Sequence, residues 1–207
     1  MKFSAIIFDI DGTLWNATNA SARGWNSATK SLNIDKHVTG KDIEKVAGAP
    51  FDICVEYTYP GLQKKYPTLL DTVSKHEFDV IKKEGGDCYL GVKEGIEKLA
   101  KYYPIYLVSN CQNWYLHLFL EHCDIAQYID GMDCNGMSGL PKDQMLMRMK
   151  EKYAMEHPVY IGDTSGDESS AKKADMDFIH VSYGFGDAVH YIAQCDSFDE
   201  LLTYLLA

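Results

Sequence analysis

The sequence predicts an α/β fold, a parallel sheet flanked by helices, with an all-helical segment inserted near its start. Three observations carry that prediction. Short apolar runs alternate with stretches of helical spacing, several runs end in carboxylate or hydroxyl side chains, and one long stretch shows no strand pattern.

The apolar runs are residues 3–8, 105–108, 159–161 and 178–181, each rich in β-branched or aromatic residues and bounded by a turn or polar cluster. Such runs suit strands covered on both faces, as in a parallel sheet. Between them, apolar residues recur at helical spacing: Val92, Ile96, Leu99 and Ala100; Trp114, Leu116, Leu118, Phe119 and Leu120; Met145, Leu146, Met149 and Tyr153; Phe198, Leu201, Leu202 and Leu205. A further short strand is expected near residues 128–132. From residue 16 to 84 only helical patterns occur, punctuated by Gly40, Gly48, Pro50, Pro60, Gly61 and Pro67. A stretch of that length is too long for a plain loop, so it reads as a helical cap over residues 16–85, closed by the hinge Gly85–Gly86. Residues 1–15 and 86–207 then form the Rossmann-like core.

A formal charge of −10 argues against nucleic acid or an anionic membrane as the main partner, since a negative surface repels phosphate polymers. Asp9 and Asp11 interrupt the first apolar run before it could act as a signal peptide or a span, so a cytoplasmic protein is expected. The six cysteines show no C-x-x-C pair or zinc spacing and read as free thiols of a reducing compartment. His117 and His122 are five apart and face different ways on a helix, so no metal pair is expected among the histidines. Met145, Met147 and Met149 read as packing residues, at least one of them exposed.

Ligands of open α/β sheets bind beyond the carboxyl ends of the strands. Here those ends carry Asp9 and Asp11, then Ser109 and Asn110, then Asp163 with Asp167 close behind. Two carboxylates about 4 Å apart repel by roughly 4 kcal/mol at an effective dielectric near 20, so such a gathering calls for a cation. A few oxygen ligands suit Mg²⁺, which keeps waters and often shares its shell with a phosphate. An EF-hand is ruled out by glycine spacing after both Asp9 and Asp163. Thr13 is expected to fix the turn after Gly12 by hydrogen bonding. Ser109 with Gln112, and Thr164 with Asp167, each spell a helix capping box.

The order "DIDGT" at 9–13, "VSN" at 108–110, a loop lysine at 142 in "LPKDQ" and "GDTSGD" at 162–167 resembles the haloacid dehalogenase-like hydrolases. The nearest branch is that of phosphoglycolate phosphatase and β-phosphoglucomutase, whose helical cap follows the first motif. "VSYGFGD" at 181–187 resembles that family's last core strand and the loop after it.

The resemblance implies Mg²⁺-dependent hydrolysis of a small phosphorylated metabolite: phosphoglycolate, a sugar phosphate or a nucleotide monophosphate. Asp9 would be the nucleophile, forming an aspartyl-phosphate, and Asp11 the general acid and then base. The metal would be held by Asp9, the Asp11 main-chain carbonyl, Asp163 and Asp167, while Gly12, Ser109, Asn110 and Lys142 would surround the phosphoryl oxygens. Asp11 separates the chain from dehalogenating members and ion pumps, which lack aspartate there. A specificity loop is implied at residues 46–51, which hold no basic residue, whereas several mutases grip a second phosphate with one. Trp15 and Asn16 would stand at the cap boundary, either against the leaving group or packing the hinge. The alternatives are a phosphomutase, which needs a bisphosphate activator and releases no phosphate, and a binding or regulatory module that tolerates loss of Asp9. Oligomeric state is left open.

Overall fold

A computed structural model describes residues 2–207. The chain runs β1 (Ala5–Phe8), β2 (Trp15–Asn16), α1 (Thr18–Ser31), α2 (Gly40–Glu44), α3 (Phe51–Thr58), α4 (Leu62–Lys65), α5 (Leu69–Glu84) and β3 (Asp87–Cys88). It continues α6 (Val92–Leu99), β4 (Ile105–Ser109), α7 (Asn113–Cys123), β5 (Gly131–Cys134), α8 (Asn135–Ser138), α9 (Lys142–Lys152) and β6 (Pro158–Gly162). The last elements are α10 (Ser165–Lys173), β7 (Asp177–Val181), β8 (Ala193–Cys195) and α11 (Phe198–Leu206).

Six strands form one sheet in the order β5-β4-β1-β6-β7-β8, and every neighbouring pair is parallel. β1 lies in the interior with β4 and β6 on its two sides, and its four residues are all buried. Alternation along a strand sends Ile6 and Phe8 to one face, with Ile96, Phe119 and Leu201, and Ala5 and Ile7 to the other, with Met145, Met149 and Ala171. That two-sided cover explains why β1 is continuously apolar, each buried aliphatic side chain contributing about 1.5–3 kcal/mol relative to exposure. Of the three methionines, Met147 is the exposed one.

The helices α1 to α5 lie between β2 and β3, which pair antiparallel through Trp15 with Cys88 and Asn16 with Asp87. They carry their own apolar core around Trp25, Val55, Tyr59, Leu69 and Val73. Trp15 is fully buried and donates its indole N–H to the Tyr115 hydroxyl, a packing position between β2 and α7. Just before α1, Asn16 Oδ1 accepts from the Thr18 N–H and hydroxyl.

Four expectations need correction. Cys88 and Cys123 form a disulfide, with Cα atoms 6.1 Å apart; only Cys54, Cys111, Cys134 and Cys195 are free, and the cysteines no longer argue for a reducing compartment. The pairing joins β3 to the end of α7 across 35 positions, which no local spacing reveals. The sheet does not end with β7, because β8 pairs beside it after a loop. β8 is only three residues long and its middle residue, Gln194, is polar and exposed, so periodicity does not mark it. The Ser109–Gln112 capping box is absent: α7 begins at Asn113, one turn later than that box requires, and the Ser109 hydroxyl instead accepts from the Cys111 N–H. The Thr13 hydroxyl is buried without a partner, and the turn is closed by main-chain bonds from Thr13 and Leu14 to the Ile10 carbonyl. No helix among the described residues is long and apolar enough to cross a membrane.

Candidate active site

Parallel strands end together at one rim of the sheet, and that rim brings the distant carboxylates into one place. Asp9 follows β1 and Asp163 follows β6; Asp167 sits in the first turn of α10. Oxygens of these three side chains lie within 4.8 Å of one another, and all three residues are buried. Gly12 makes this approach possible: its φ is +76°, and a Cβ there would stand 2.0 Å from Asp163 Oδ2.

Lys142 Nζ donates to Asp9 Oδ1 at 3.0 Å and to Asp167 Oδ1 at 2.6 Å. Rather than lying in a solvated loop, Lys142 opens α9 and is buried, because Pro141 starts that helix against the sheet rim. Asp167 also completes the expected capping box with Thr164, so it serves the helix and the cluster together. Asp163 Oδ2 accepts from the Phe185 N–H at 2.7 Å, a contact supplied by the loop after β7. Sequence reasoning did not single out Phe185, since a main-chain donor leaves no side-chain signature.

One buried lysine does not balance this set. Burial pushes the Asp9 carboxyl up to about 6 against the attraction of Lys142, and pushes Asp163 up to about 8 with help from Asp167 and Asp9. Burial also acts on Asp167, but Lys142 and Thr164 outweigh it and hold that carboxyl below the usual range. Desolvation opposes the charge of Lys142, yet Asp167 and Asp9 prevail and hold the ammonium well above its ordinary value. Asp9 Oδ2 and Asp163 Oδ1 remain buried without a hydrogen-bond partner. Unpartnered carboxylate oxygens in a dry site with too little positive charge fit a hard divalent cation such as Mg²⁺.

Asp11 behaves differently from the other three. It is half-buried, its side chain stands outside the close group, and Oδ1 accepts from the Tyr115 hydroxyl on α7. Burial raises its carboxyl to about 7, with Tyr115 pulling the other way. Tyr115 is a second residue that the motifs do not reveal; its position on an apolar helical face reads only as packing. Asp11 also lines a cavity with Ser109 and Asn110, and residues 46–49 and Phe51 border it from the helical side. Asn110 Nδ2 donates to the Gly48 carbonyl at 2.8 Å, while its Oδ1 is buried without a partner. The structure thus puts Asp9, Asp163, Asp167 and Lys142 in one cluster, and Asp11, Ser109 and Asn110 around the adjoining cavity.

The family model described as haloacid dehalogenase-like hydrolase matches residues 6–181. The phosphoglycolate phosphatase of Rhodobacter capsulatus is 25% identical over 216 residues, covering 95% of this chain and 94% of that protein. The 5'-nucleotidase of Pseudomonas aeruginosa is 23% identical over 191 residues, covering 90% and 86%. A solved haloacid dehalogenase-like hydrolase from Streptococcus pneumoniae superposes with a TM-score of 0.82 at 18% identity, covering 99% of each chain. With most of its length matched by one family and its fold shared with a solved member, the chain belongs to the haloacid dehalogenase-like hydrolases.

Proposed function

We propose that this phosphatase of the haloacid dehalogenase-like family hydrolyses a small phosphate monoester with Mg²⁺, through an aspartyl-phosphate on Asp9. The observation that carries the reading is the buried trio Asp9, Asp163 and Asp167, with two carboxylate oxygens left unpartnered. Those three side chains and the Asp11 main chain would hold the metal, which when bound neutralises the cluster and polarises the phosphoryl group. Lys142 fixes one oxygen of Asp9 and adds a positive charge beside the position of the transferring group. The Ser109 hydroxyl and the Asn110 main-chain N–H would bind phosphoryl oxygens from the end of β4.

Asp11 suits the proton transfers. A carboxyl raised to about 7 carries a proton on a large fraction of molecules near neutrality, and its basicity still lets it take a proton from water afterwards. Tyr115 holds Oδ1 and so orients the group. The helices between β2 and β3 act as the cap: α5 meets α7 where Ser74 bonds Gln112 at 2.9 Å, shielding the cavity from bulk water. The cavity has no basic side chain to grip a second phosphate, which favours hydrolysis over a mutase reaction.

Phosphate release from p-nitrophenyl phosphate tests this reading. Turnover is expected with Mg²⁺, is lost in EDTA and falls by at least about a thousandfold in Asp9→Asn. Undiminished release by Asp9→Asn would overturn it.

A further inference from the structure

The cavity beside Asp11 is about 70 Å³ and is closed on its far side by the helical insertion. From that side Glu77, Trp25 and Ser21 reach into it, and among its lining residues there is no lysine, arginine or histidine. Glu77 is 5% exposed, an unusual burial for a carboxylate with no cationic partner. Its place is built in: α1 carries Gly24 where α5 passes, and a Cβ there would stand 2.5 Å from the Glu77 Cα. Burial raises the Glu77 carboxyl to about 7, with the Ser21 hydroxyl and the Trp25 indole opposing.

The Asn110 amide supplies an independent observation. Trp25 is 2% exposed and lines the cavity, with its indole N–H beside Glu77 and favouring the ionised carboxylate. On the core side, Asn110 Oδ1 is buried and unpartnered. A natural interior leaves few such groups unsatisfied unless a ligand meets them. Together the walls offer two carboxyl groups, the amides of Asn110 and Gln112, the hydroxyls of Ser21, Ser109 and Tyr115, and the Trp25 ring, with no fixed positive charge.

We propose that Glu77, in the wall of this cavity, selects a monoester whose alcohol carries a hydrogen-bond donor and no second anion. The proposal rests on the phosphatase reading above. The donor is a hydroxyl or an ammonium group, either of which Glu77 and Asn110 Oδ1 can accept from. A carboxylate or second phosphate on the alcohol would instead face Glu77 and Asp11 without a counter-charge.

The test is a kcat/KM series on the whole protein with Mg²⁺, using glycerol 3-phosphate, phosphoethanolamine, phosphoglycolate and p-nitrophenyl phosphate. The expected result is that glycerol 3-phosphate or phosphoethanolamine exceeds phosphoglycolate by about tenfold or more, and the better of the two identifies the donor. In Glu77→Gln that ratio shrinks by about tenfold, and in Glu77→Lys it shifts toward phosphoglycolate. Each ratio is internal to one variant, so a change in folded fraction cancels. Equal or better turnover of phosphoglycolate by the unaltered protein overturns the selection while leaving the phosphatase reading intact. A ratio unmoved in Glu77→Gln overturns the role of Glu77. No turnover of any of the four esters overturns the phosphatase reading, and the selection with it.

Discussion

Lys142 stands between two buried carboxylates that would otherwise repel each other, and its removal separates its two jobs. Replacing it by methionine fills similar space but leaves Asp9 and Asp167 unpaired. Breaking a buried pair in this way typically costs about 3–5 kcal/mol. The sign of the pH dependence follows from Asp167, whose carboxyl Lys142 holds low in the folded protein. A depressed carboxyl contributes stability above its unfolded pKa that is lost only on acidification. Lys142→Met forfeits that contribution, so its deficit is expected to be larger at pH 8 than at pH 4. Urea unfolding in EDTA at the two pH values checks this, and a deficit independent of pH would show that the lysine acts through packing alone.

The first motif, the strand ends and most helices are legible in the sequence because each follows a local rule. β1 and β4 are apolar runs, α6 and α11 carry helical spacing, and Thr164 with Asp167 announces the start of α10. What stays hidden depends on contacts between distant segments. The ribbon of β2 and β3 is two residues per strand, too short for a periodic signal. Lys142 gains meaning only when α9 packs at the rim, and Tyr115 and Glu77 only when α7 and α5 close around Asp11. The Cys88–Cys123 bond belongs to the same class, since it ties the returning strand β3 to α7. Closing a loop of 35 positions is expected to stabilise the protein by about 3–4 kcal/mol, mainly through the unfolded chain. Unfolding by urea with and without a thiol reductant measures it. A Cys88→Ser/Cys123→Ser protein that resists urea as well as the oxidised parent would contradict that assignment.

Across the molecule, a net charge of −10 and a dry acidic cluster together make the folded state sensitive to pH and to divalent cations. Asp9 and Asp163 have carboxyls raised to about 6 and about 8 by burial. A raised carboxyl favours the folded state below its unfolded pKa, and that advantage fades as pH climbs through the folded value. Without metal, stability is therefore expected to fall between pH 4 and pH 8. Mg²⁺ at a hundredfold excess over its Kd adds about 2.7 kcal/mol, and it acts more strongly at pH 8 than at pH 5, where protons compete. Thermal unfolding with EDTA or Mg²⁺ at both pH values reads this directly, and equal Mg²⁺ stabilisation at both would contradict the metal assignment.

The convergence of buried carboxylates matters for function only if it leaves Asp9 able to accept a phosphoryl group. Rapid acid quench during turnover of p-nitrophenyl phosphate with Mg²⁺, followed by mass spectrometry of the digested protein, locates that group. The expected result is a single acid-stable, base-labile phosphoryl on the peptide bearing Asp9, absent from Asp9→Asn. Phosphoryl on any other residue, or full turnover by Asp9→Asn with none on the protein, would contradict the account.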